Sequence, residues 1–235
     1  MCFSAGVSFA AGFVLIPAGC YCIATAVRKQ PSAMTTAVVP LMFGVQQVAE
    51  GFVWHGLEHA DHLLTRQASL VFLFFALAFW PFWFSFSAAI SDRRPHARWL
   101  FTGLALVSTG WFWLFFLPIA SGPETFLSIR IVHHSIFYDF TTVPVAQSAP
   151  RNFMRVFYFL CVALPMLFGS AKLGRAYGLA FAILTAVAAI VFHYAFISVW
   201  CFMAAIMTVC LCWHFHTMKT ECREPAANIR TPVMN

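Results

Sequence analysis

Charged residues are scarce in this sequence, and their scarcity excludes an ordinary soluble domain. Only 9% of the 235 residues are Asp, Glu, Lys or Arg, whereas a soluble globular domain has about 25%. Hydrophobic residues make up 61% of the chain. This balance is typical of an integral membrane protein, in which lipid surrounds most of the surface.

Two further features are missing from the sequence. No positive charge precedes the first apolar run, because the first charged residue is Arg28; a cleavable signal peptide carries such charge, so we expect the first helix to be retained. The eight cysteines include no Cys-x-x-Cys pair, which argues against a redox motif or a disulfide framework.

Seven apolar stretches have about the 20 residues that a bilayer-spanning helix needs. They lie at 4–26, 36–57, 68–90, 99–120, 153–170, 176–195 and 198–213. We therefore predict an all-α, polytopic bundle of seven transmembrane helices, forming a single domain over residues 1–220. Residues 221–235 are predicted to be a disordered cytoplasmic tail.

The distribution of basic residues predicts the orientation of the chain. Ten of the 14 Lys and Arg residues occupy alternate loops: Arg28, Lys29, Arg93, Arg94, Arg98, Lys172, Arg175, Lys219, Arg223 and Arg230. The other four are Arg66, Arg130, Arg151 and Arg155. By the positive-inside rule the N-terminus is expected to lie outside and the C-terminus inside. Charge spread in this way does not indicate a nucleic-acid partner.

Polar residues interrupt the second predicted helix near its outer end. Glu50 lies one to two turns inside that end, and Gln46 and Gln47 are one turn deeper. An ionisable group at this depth costs about 2 kcal/mol or more unless it is paired, protonated or in a wet cavity. Two interpretations stay open: a structural Glu hydrogen-bonded to glutamine, or a functional carboxylate acting as a catalytic base or metal ligand.

Several histidines are predicted to lie on the same outer face. His55, His59 and His62 have the spacing i, i+4, i+7, which is common in metal sites. His59 and His62 belong to the polar connector EHADH, so solvated loop positions are the ordinary explanation for them, and His55 is the better candidate ligand. His193, in AAIVFHYAF, is a further candidate because such residues usually face the interior of a bundle.

The long segment 121–152, between predicted helices 4 and 5, also lies on this face. LSIRIV alternates at period two, which predicts a short strand or hairpin, and HHSIFYDF follows it. We predict a structured extracytoplasmic lid. His133 or His134 is a candidate metal ligand there, and the walls of the site are predicted to include Trp54, Tyr138, Ser198 and Trp200.

Cys2 adds a third kind of ligand or a nucleophile. If Met1 is removed, the new N-terminal amine and the Cys2 thiol can chelate a metal together, or the thiol can attack a substrate with the amine as base. A buried first residue without a chemical role is the alternative.

A stripe of soft ligands follows the seventh helix toward the inner face. Met203, Met207, Cys210, His214 and Met218 recur at helical spacing. Thioether, thiolate and imidazole are the ligands that Cu(I) prefers. In a helix bundle, packing is the more common explanation of such a stripe.

Four segments together resemble a family of bacterial seven-helix membrane proteins of unknown function. They are the opening MCFSA, PLMFGVQQVAEGFVW, FFALAFWPFW and SVWCFMAA. The resemblance extends from the first residue to the seventh helix. It implies the fold and a bacterial membrane location, and it implies no activity.

The first functional hypothesis is a metalloprotein with a transition metal at the outer face. Copper is favoured and zinc or iron are alternatives, with a membrane oxidoreductase, a hydrolase or metal handling as the role and a small or lipidic molecule as substrate. The second is a metal-free, proton-coupled transporter or channel for a small apolar substrate, in which Glu50 and His193 relay protons. An accessory subunit of a membrane complex is the third.

Overall fold

The computed structural model describes residues 4–148, 151–170, 172–191 and 196–217, which are mainly helical. The first four helices are α1 (Ala5–Lys29), α2 (Met34–Ala37), α3 (Val39–Glu58) and α4 (His62–Leu73). They are followed by α5 (Trp80–Ser91), α6 (Pro95–Trp111) and α7 (Leu117–Ser121). A hairpin of β1 (Ser128–Val132) and β2 (Ser135–Asp139) precedes α8 (Pro144–Ser148), α9 (Arg151–Phe168), α10 (Lys172–Val191) and α11 (Phe196–Thr217).

Among the described residues, five helices are long and apolar enough to cross a membrane. They are Ala5–Lys29, Pro31–Glu58, His62–Ser91, Pro95–Ser121 and Ile197–Thr217. Each overlaps one of the seven apolar stretches predicted from the sequence. The other two stretches fall in α9 and α10, whose described parts form the shorter apolar helices Val156–Phe168 and Ala176–Ala188. A mainly helical chain with several helices suited to a bilayer confirms the helical, multi-span part of the predicted fold class, while the count of seven spans and the orientation stay predictions.

Two of these spans contain a π-helical segment that accommodates a proline. The segments Phe74–Phe79 and Phe112–Phe116 precede Pro81 and Pro118. A proline ring clashes with the carbonyl four residues earlier and cannot donate to it. Those carbonyls belong to Leu77 and Leu114, which lie inside the two π segments, so the extra residue in the turn relieves the clash. Pro81 therefore widens its helix without ending it.

Helices α1 and α3 approach closely because glycines lie where they cross. A Cβ added to Gly12 would be 2.5 Å from Cγ2 of Val48, and one added to Gly44 would be 2.8 Å from Cγ1 of Ile16. A Cβ on Gly19 would collide with the backbone of Leu41. Small residues let membrane helices pack backbone to backbone, and this contact sets the position of α3.

The β-hairpin covers one end of the bundle and packs against α11. Its strands are antiparallel, with Ser128 opposite Asp139 and Val132 opposite Ser135. The two residues between the strands are His133 and His134, with φ of 46° and 56°. Positive φ at both central residues is what a type I′ hairpin turn requires. Both histidines are exposed at the tip.

Candidate functional site

Glu50 is buried inside the bundle and bonded to a second helix. Its side chain lies on the inner face of α3, and the residue is only 2% exposed. Ser198 on α11 donates from Oγ to Oε1 of Glu50 at 2.5 Å, and Gln47 donates from Nε2 to Oε2 at 3.3 Å. The one salt bridge in the described part of the chain joins Arg94 to Asp92, so no cation pairs with Glu50 there.

A second branch of hydrogen bonds lies one helical turn from Glu50. Trp80 on α5 donates from Nε1 to Oε1 of Gln46 at 2.7 Å. Gln46 donates in turn from Nε2 to Sγ of Cys201 at 3.1 Å. Gln46 and Glu50 are four residues apart and Ser198 and Cys201 three apart, so each pair shares a helix face. The two faces meet in one buried polar cluster.

Tyr138 of the hairpin lies over this cluster. It is 6% exposed, and its ring stacks on Phe72 with the centroids 5.1 Å apart. Burial raises the pKa of Tyr138 well above its usual range, and the nearby Glu50 and Cys201 raise it further. The phenol is therefore neutral and a potential donor.

Three buried polar atoms around the cluster have no hydrogen-bond partner among the described residues. They are Oε1 of Gln47, Nε1 of Trp54 and the hydroxyl of Tyr138. Leaving such an atom unpaired costs about 1–3 kcal/mol. A polar group or a proton carrier reaching the cluster would gain hydrogen bonds from these atoms.

The histidines predicted as ligands do not join Glu50 in the described part of the chain. His55 is exposed, and its ring lies against His59 with the centroids 4.1 Å apart. Five residues turn a helix by about 140° beyond one full turn, so His55 faces away from Glu50. The hairpin holds His133 and His134 in the two turn positions at its tip, away from the buried cluster.

Two predicted site residues, Cys2 and His193, lie outside the described residues, as does the predicted tail 221–235. Within the part that is described, no three His, Cys, Asp or Glu side chains are placed to hold a metal ion together. The metal site predicted from the sequence thus gains no support from these residues.

The soft-ligand stripe of α11 differs in exposure along its length. Met203 and Met207 are half-buried, His214 is half-buried and Cys210 is exposed, while Met218 lies outside the described residues. Trp200 on the same helix donates from Nε1 to Oγ1 of Thr185 at 2.8 Å, which connects α11 to α10. Met207, within the stripe, lines a cavity.

That cavity, with a volume of about 200 Å³, lies between the cluster and the end of the bundle opposite the hairpin. Its lining includes Phe43, Phe84, Phe181 and Met207. Phe43 stacks on Trp80 with the centroids 3.9 Å apart, and Trp80 is bonded to Gln46. The cavity wall and the polar cluster are therefore in direct contact through one indole ring.

Asp92 clamps two helix connections together beside the cavity. Arg94 donates to its carboxylate from Nε at 3.0 Å, from Nη2 at 2.8 Å and from the backbone N–H at 2.9 Å. The backbone N–H of Ser170, in the α9–α10 connection, donates at 2.9 Å, and Arg94 also donates to the carbonyl of Phe168. We call this set of contacts the Asp92 clamp.

The Asp92 clamp should make stability depend on acid pH. Hydrogen bonding from Arg94, which outweighs burial, lowers the pKa of Asp92 from 3.8 to about 2. A carboxyl with a lowered pKa stabilises the fold above its unfolded-state pKa, and this contribution is lost as the pH falls through the folded value. We expect Asp92→Asn to lower the melting temperature at neutral pH, with the difference from wild type shrinking between pH 3.8 and about 2. A difference that stays constant over this range in thermal melts in detergent would contradict the assignment.

One member of the cluster, Trp80, was not predicted from the sequence. It has no local signal, because only the packing of α5 against α3 brings its indole N–H to Gln46. Cys201 was expected near the outer face together with Ser198 and Trp200, and its spacing of three from Ser198 places both on one helix face. Its hydrogen bond with Gln46 was not predicted.

Comparisons with known proteins place the chain in a family without assigning it an activity. No curated protein and no solved structure matches the chain. A family model described as "Family of unknown function (DUF6629)" matches residues 1–227. Since the match covers nearly the whole sequence, the chain belongs to this family of unknown function.

Proposed function

We propose that the protein is a proton-coupled membrane transporter for a small, largely apolar molecule, with Glu50 as the proton-binding group. The observation that carries the proposal is the buried Glu50 carboxyl, held by Ser198 and Gln47 with no cation paired to it among the described residues. A bare carboxylate inside a membrane costs several kcal/mol unless it gains a proton or water. Loss of the proton must therefore accompany a rearrangement around Glu50, and such a linkage is what coupling requires.

The proposal includes the topology predicted from charge. Seven helices cross a bacterial inner membrane with the N-terminus outside, and segment 121–152 forms a lid on the outer face. The hairpin then covers the Glu50 cluster from outside, and the cavity lies on the cytoplasmic side. Glu50 stands between the two, where a group exposed alternately to each side must be.

Contacts between the cavity and the cluster supply a route for coupling. On one wall Phe43 stacks on Trp80, which bonds to Gln46. On the other, Phe181 meets Trp200 edge to face with the centroids 5.1 Å apart, and Trp200 lies two residues from Ser198. A molecule that displaces Phe43 would shift Gln46 through Trp80. One that displaces Phe181 would shift Trp200 and the part of α11 that carries Ser198, which donates to Glu50.

The metal-dependent functions have less support than this one. A copper, zinc or iron cofactor at the outer face depends on Cys2 and His193, because His55, His133 and His134 are exposed and do not approach Glu50. A role as an accessory subunit makes no use of the buried cluster. Neither alternative is favoured by a contact in the described part of the chain.

The test is proton movement driven by an imposed pH gradient. Wild type and Glu50→Gln are reconstituted into liposomes that contain a pH-sensitive dye, with the membrane potential clamped by valinomycin and potassium. Octanol is the probe. An octanol molecule that the transporter carries together with a proton can return alone through the lipid and be carried again. A coupled transporter therefore keeps moving protons down the pH gradient while octanol is present. We expect wild type to collapse the gradient faster with octanol than without it, and Glu50→Gln to match protein-free liposomes.

Two results would contradict the proposal. One is equal octanol-dependent proton flux in wild type and Glu50→Gln. The other is a near-stoichiometric transition metal in the purified protein that is lost in Glu50→Ala, which would favour the metalloprotein hypothesis instead. Elemental analysis of the preparation used for reconstitution gives the second measurement.

A further inference from the structure

We infer that the cavity beside the Asp92 clamp is the substrate site, and that it takes an uncharged amphiphile with a hydroxyl or amide head group and an apolar body. The inference rests on the proposed function for calling this ligand a substrate. The binding site itself depends only on the residues that line the cavity.

The charge of the lining selects against ions. Its ionisable residues are Asp92 and Tyr177, and Asp92 is already neutralised by Arg94 and bonded to Ser170. Among the residues whose side chains the structure describes, no other Asp or Glu, and no Lys, Arg or His, lines the cavity. A charged ligand would lose its hydration without gaining a counter-ion, which is costly in apolar surroundings.

The lining is polar at one end and apolar at the other. Ser91, Asp92 and Ser170 lie at helix ends, near the surface of the bundle, whereas Phe43 and Phe181 lie deeper, next to the aromatic rings that contact the polar cluster. This gradient matches a ligand with one polar end. The head group would sit near the Asp92 clamp and the apolar body would extend toward Phe43.

Tyr177 is the group best suited to recognise the head group. It lines the cavity, and its hydroxyl makes no hydrogen bond within the described part of the chain. The nearby hydroxyl of Ser87 is already used, since it donates to Oγ1 of Thr35 at 2.7 Å. A phenol can both donate to and accept from an alcohol or an amide.

The size of the cavity also suits such a ligand. An apolar cavity of about 150 Å³ is large enough for benzene, and this one measures about 200 Å³. Protein interiors seldom leave gaps larger than a water molecule, so a space of this size is not a packing defect. It fits a medium-chain molecule and not a whole phospholipid.

Photo-crosslinking in nanodiscs tests the inference. The probes are a medium-chain primary alcohol that carries a diazirine and the matching alkane, carboxylate and ammonium compounds, with labelled peptides located by mass spectrometry. We expect the alcohol to label cavity residues of α5 and α10 in preference to the other three. Ala88→Phe, which fills the cavity from α5, should lower this labelling about tenfold, whereas Ala24→Phe on the exposed face of α1 should leave it unchanged.

A conservative variant keeps the test informative if Ala88→Phe folds poorly. Tyr177→Phe keeps the ring and removes only the hydroxyl, so it should reduce alcohol labelling to the level of the alkane. The inference is overturned if labelling is confined to lipid-facing residues, if a charged probe labels the cavity best, or if Tyr177→Phe leaves the preference for alcohol intact. Preferential labelling of the cavity together with unchanged proton flux in Glu50→Gln would support the binding site and overturn the transport proposal. Labelling outside the cavity together with loss of octanol-dependent proton flux in Glu50→Gln would support the transport proposal and overturn the binding site.

Discussion

Glu50→Lys is expected to reduce the folded fraction strongly, whereas Glu50→Gln is expected to fold as the wild type does. The lysine would place an ammonium group where the described structure offers no carboxylate partner. A charge at membrane depth costs about 2.5–3.5 kcal/mol in insertion measurements, and more when the protein cannot adapt. Domains are stabilised by only about 5–15 kcal/mol, so this cost, added to the lost hydrogen bonds, removes a large part of the margin.

Glutamine provides the matched control because it has the shape of a protonated glutamate. Its Oε1 can accept from Ser198 as Glu50 does now, and it carries no charge at any pH. Fluorescence-detected size-exclusion chromatography after detergent extraction measures the folded fraction. A Glu50→Lys variant that elutes like wild type would mean that the site is wet or adaptable and that its burial does not exclude a charge.

The buried cluster could be predicted in part because a polar residue in an apolar helix is conspicuous. Glu50, Gln46 and Gln47 stand out by type alone, and the structure places all three inside the bundle. Ser198 and Tyr138 were predicted to share a site with them and are buried with them. Trp80 was not predicted, because an aromatic ring among apolar residues gives no sign of which partner it will meet.

The direction in which the histidine side chains face could not be predicted from their positions in the sequence. His55 is close to Glu50 in sequence, but helical rotation turns it to the opposite side, and its exposure follows from that rotation. His133 and His134 mark a turn, and adjacent residues with positive φ at a hairpin tip point away from the strands' buried face. Position along the chain predicted which end of the bundle they occupy but not which way they face.

The fold itself was more accessible to prediction than its irregularities. Length and hydropathy were enough to place the long apolar helices. The π-helical segments before Pro81 and Pro118 were not predicted, since a proline in an apolar run is equally consistent with a kink or a break. The close crossing of α1 and α3 was missed as well, although Gly12 and Gly19 share a helix face at a spacing of seven.

Gly19→Leu is expected to cause the largest loss of stability among substitutions outside the polar cluster. A Cβ at this position would overlap backbone atoms of Leu41 on α3, which cannot rotate away as the end of a side chain can. Inserting larger groups into a well-packed contact costs about 1–3 kcal/mol and sometimes more. Here the added side chain must push α3 away from α1. Because α3 carries Gln46, Gln47 and Glu50, the hydrogen bonds to Ser198 and Cys201 should weaken in the same variant.

Gly103→Leu and Gly110→Leu are the matched controls for this prediction. A Cβ at either position meets no atom within 4 Å, and glycine inside a helix costs about 0.8–1.0 kcal/mol relative to alanine. Both controls should therefore be neutral or slightly stabilising in thermal melts in detergent, while Gly19→Leu should melt far earlier or fail to fold. If all three variants melt alike, α1 does not press on α3 in the way described. The contact between α1 and α3 would then not be what holds Glu50, which lies on α3, against α11.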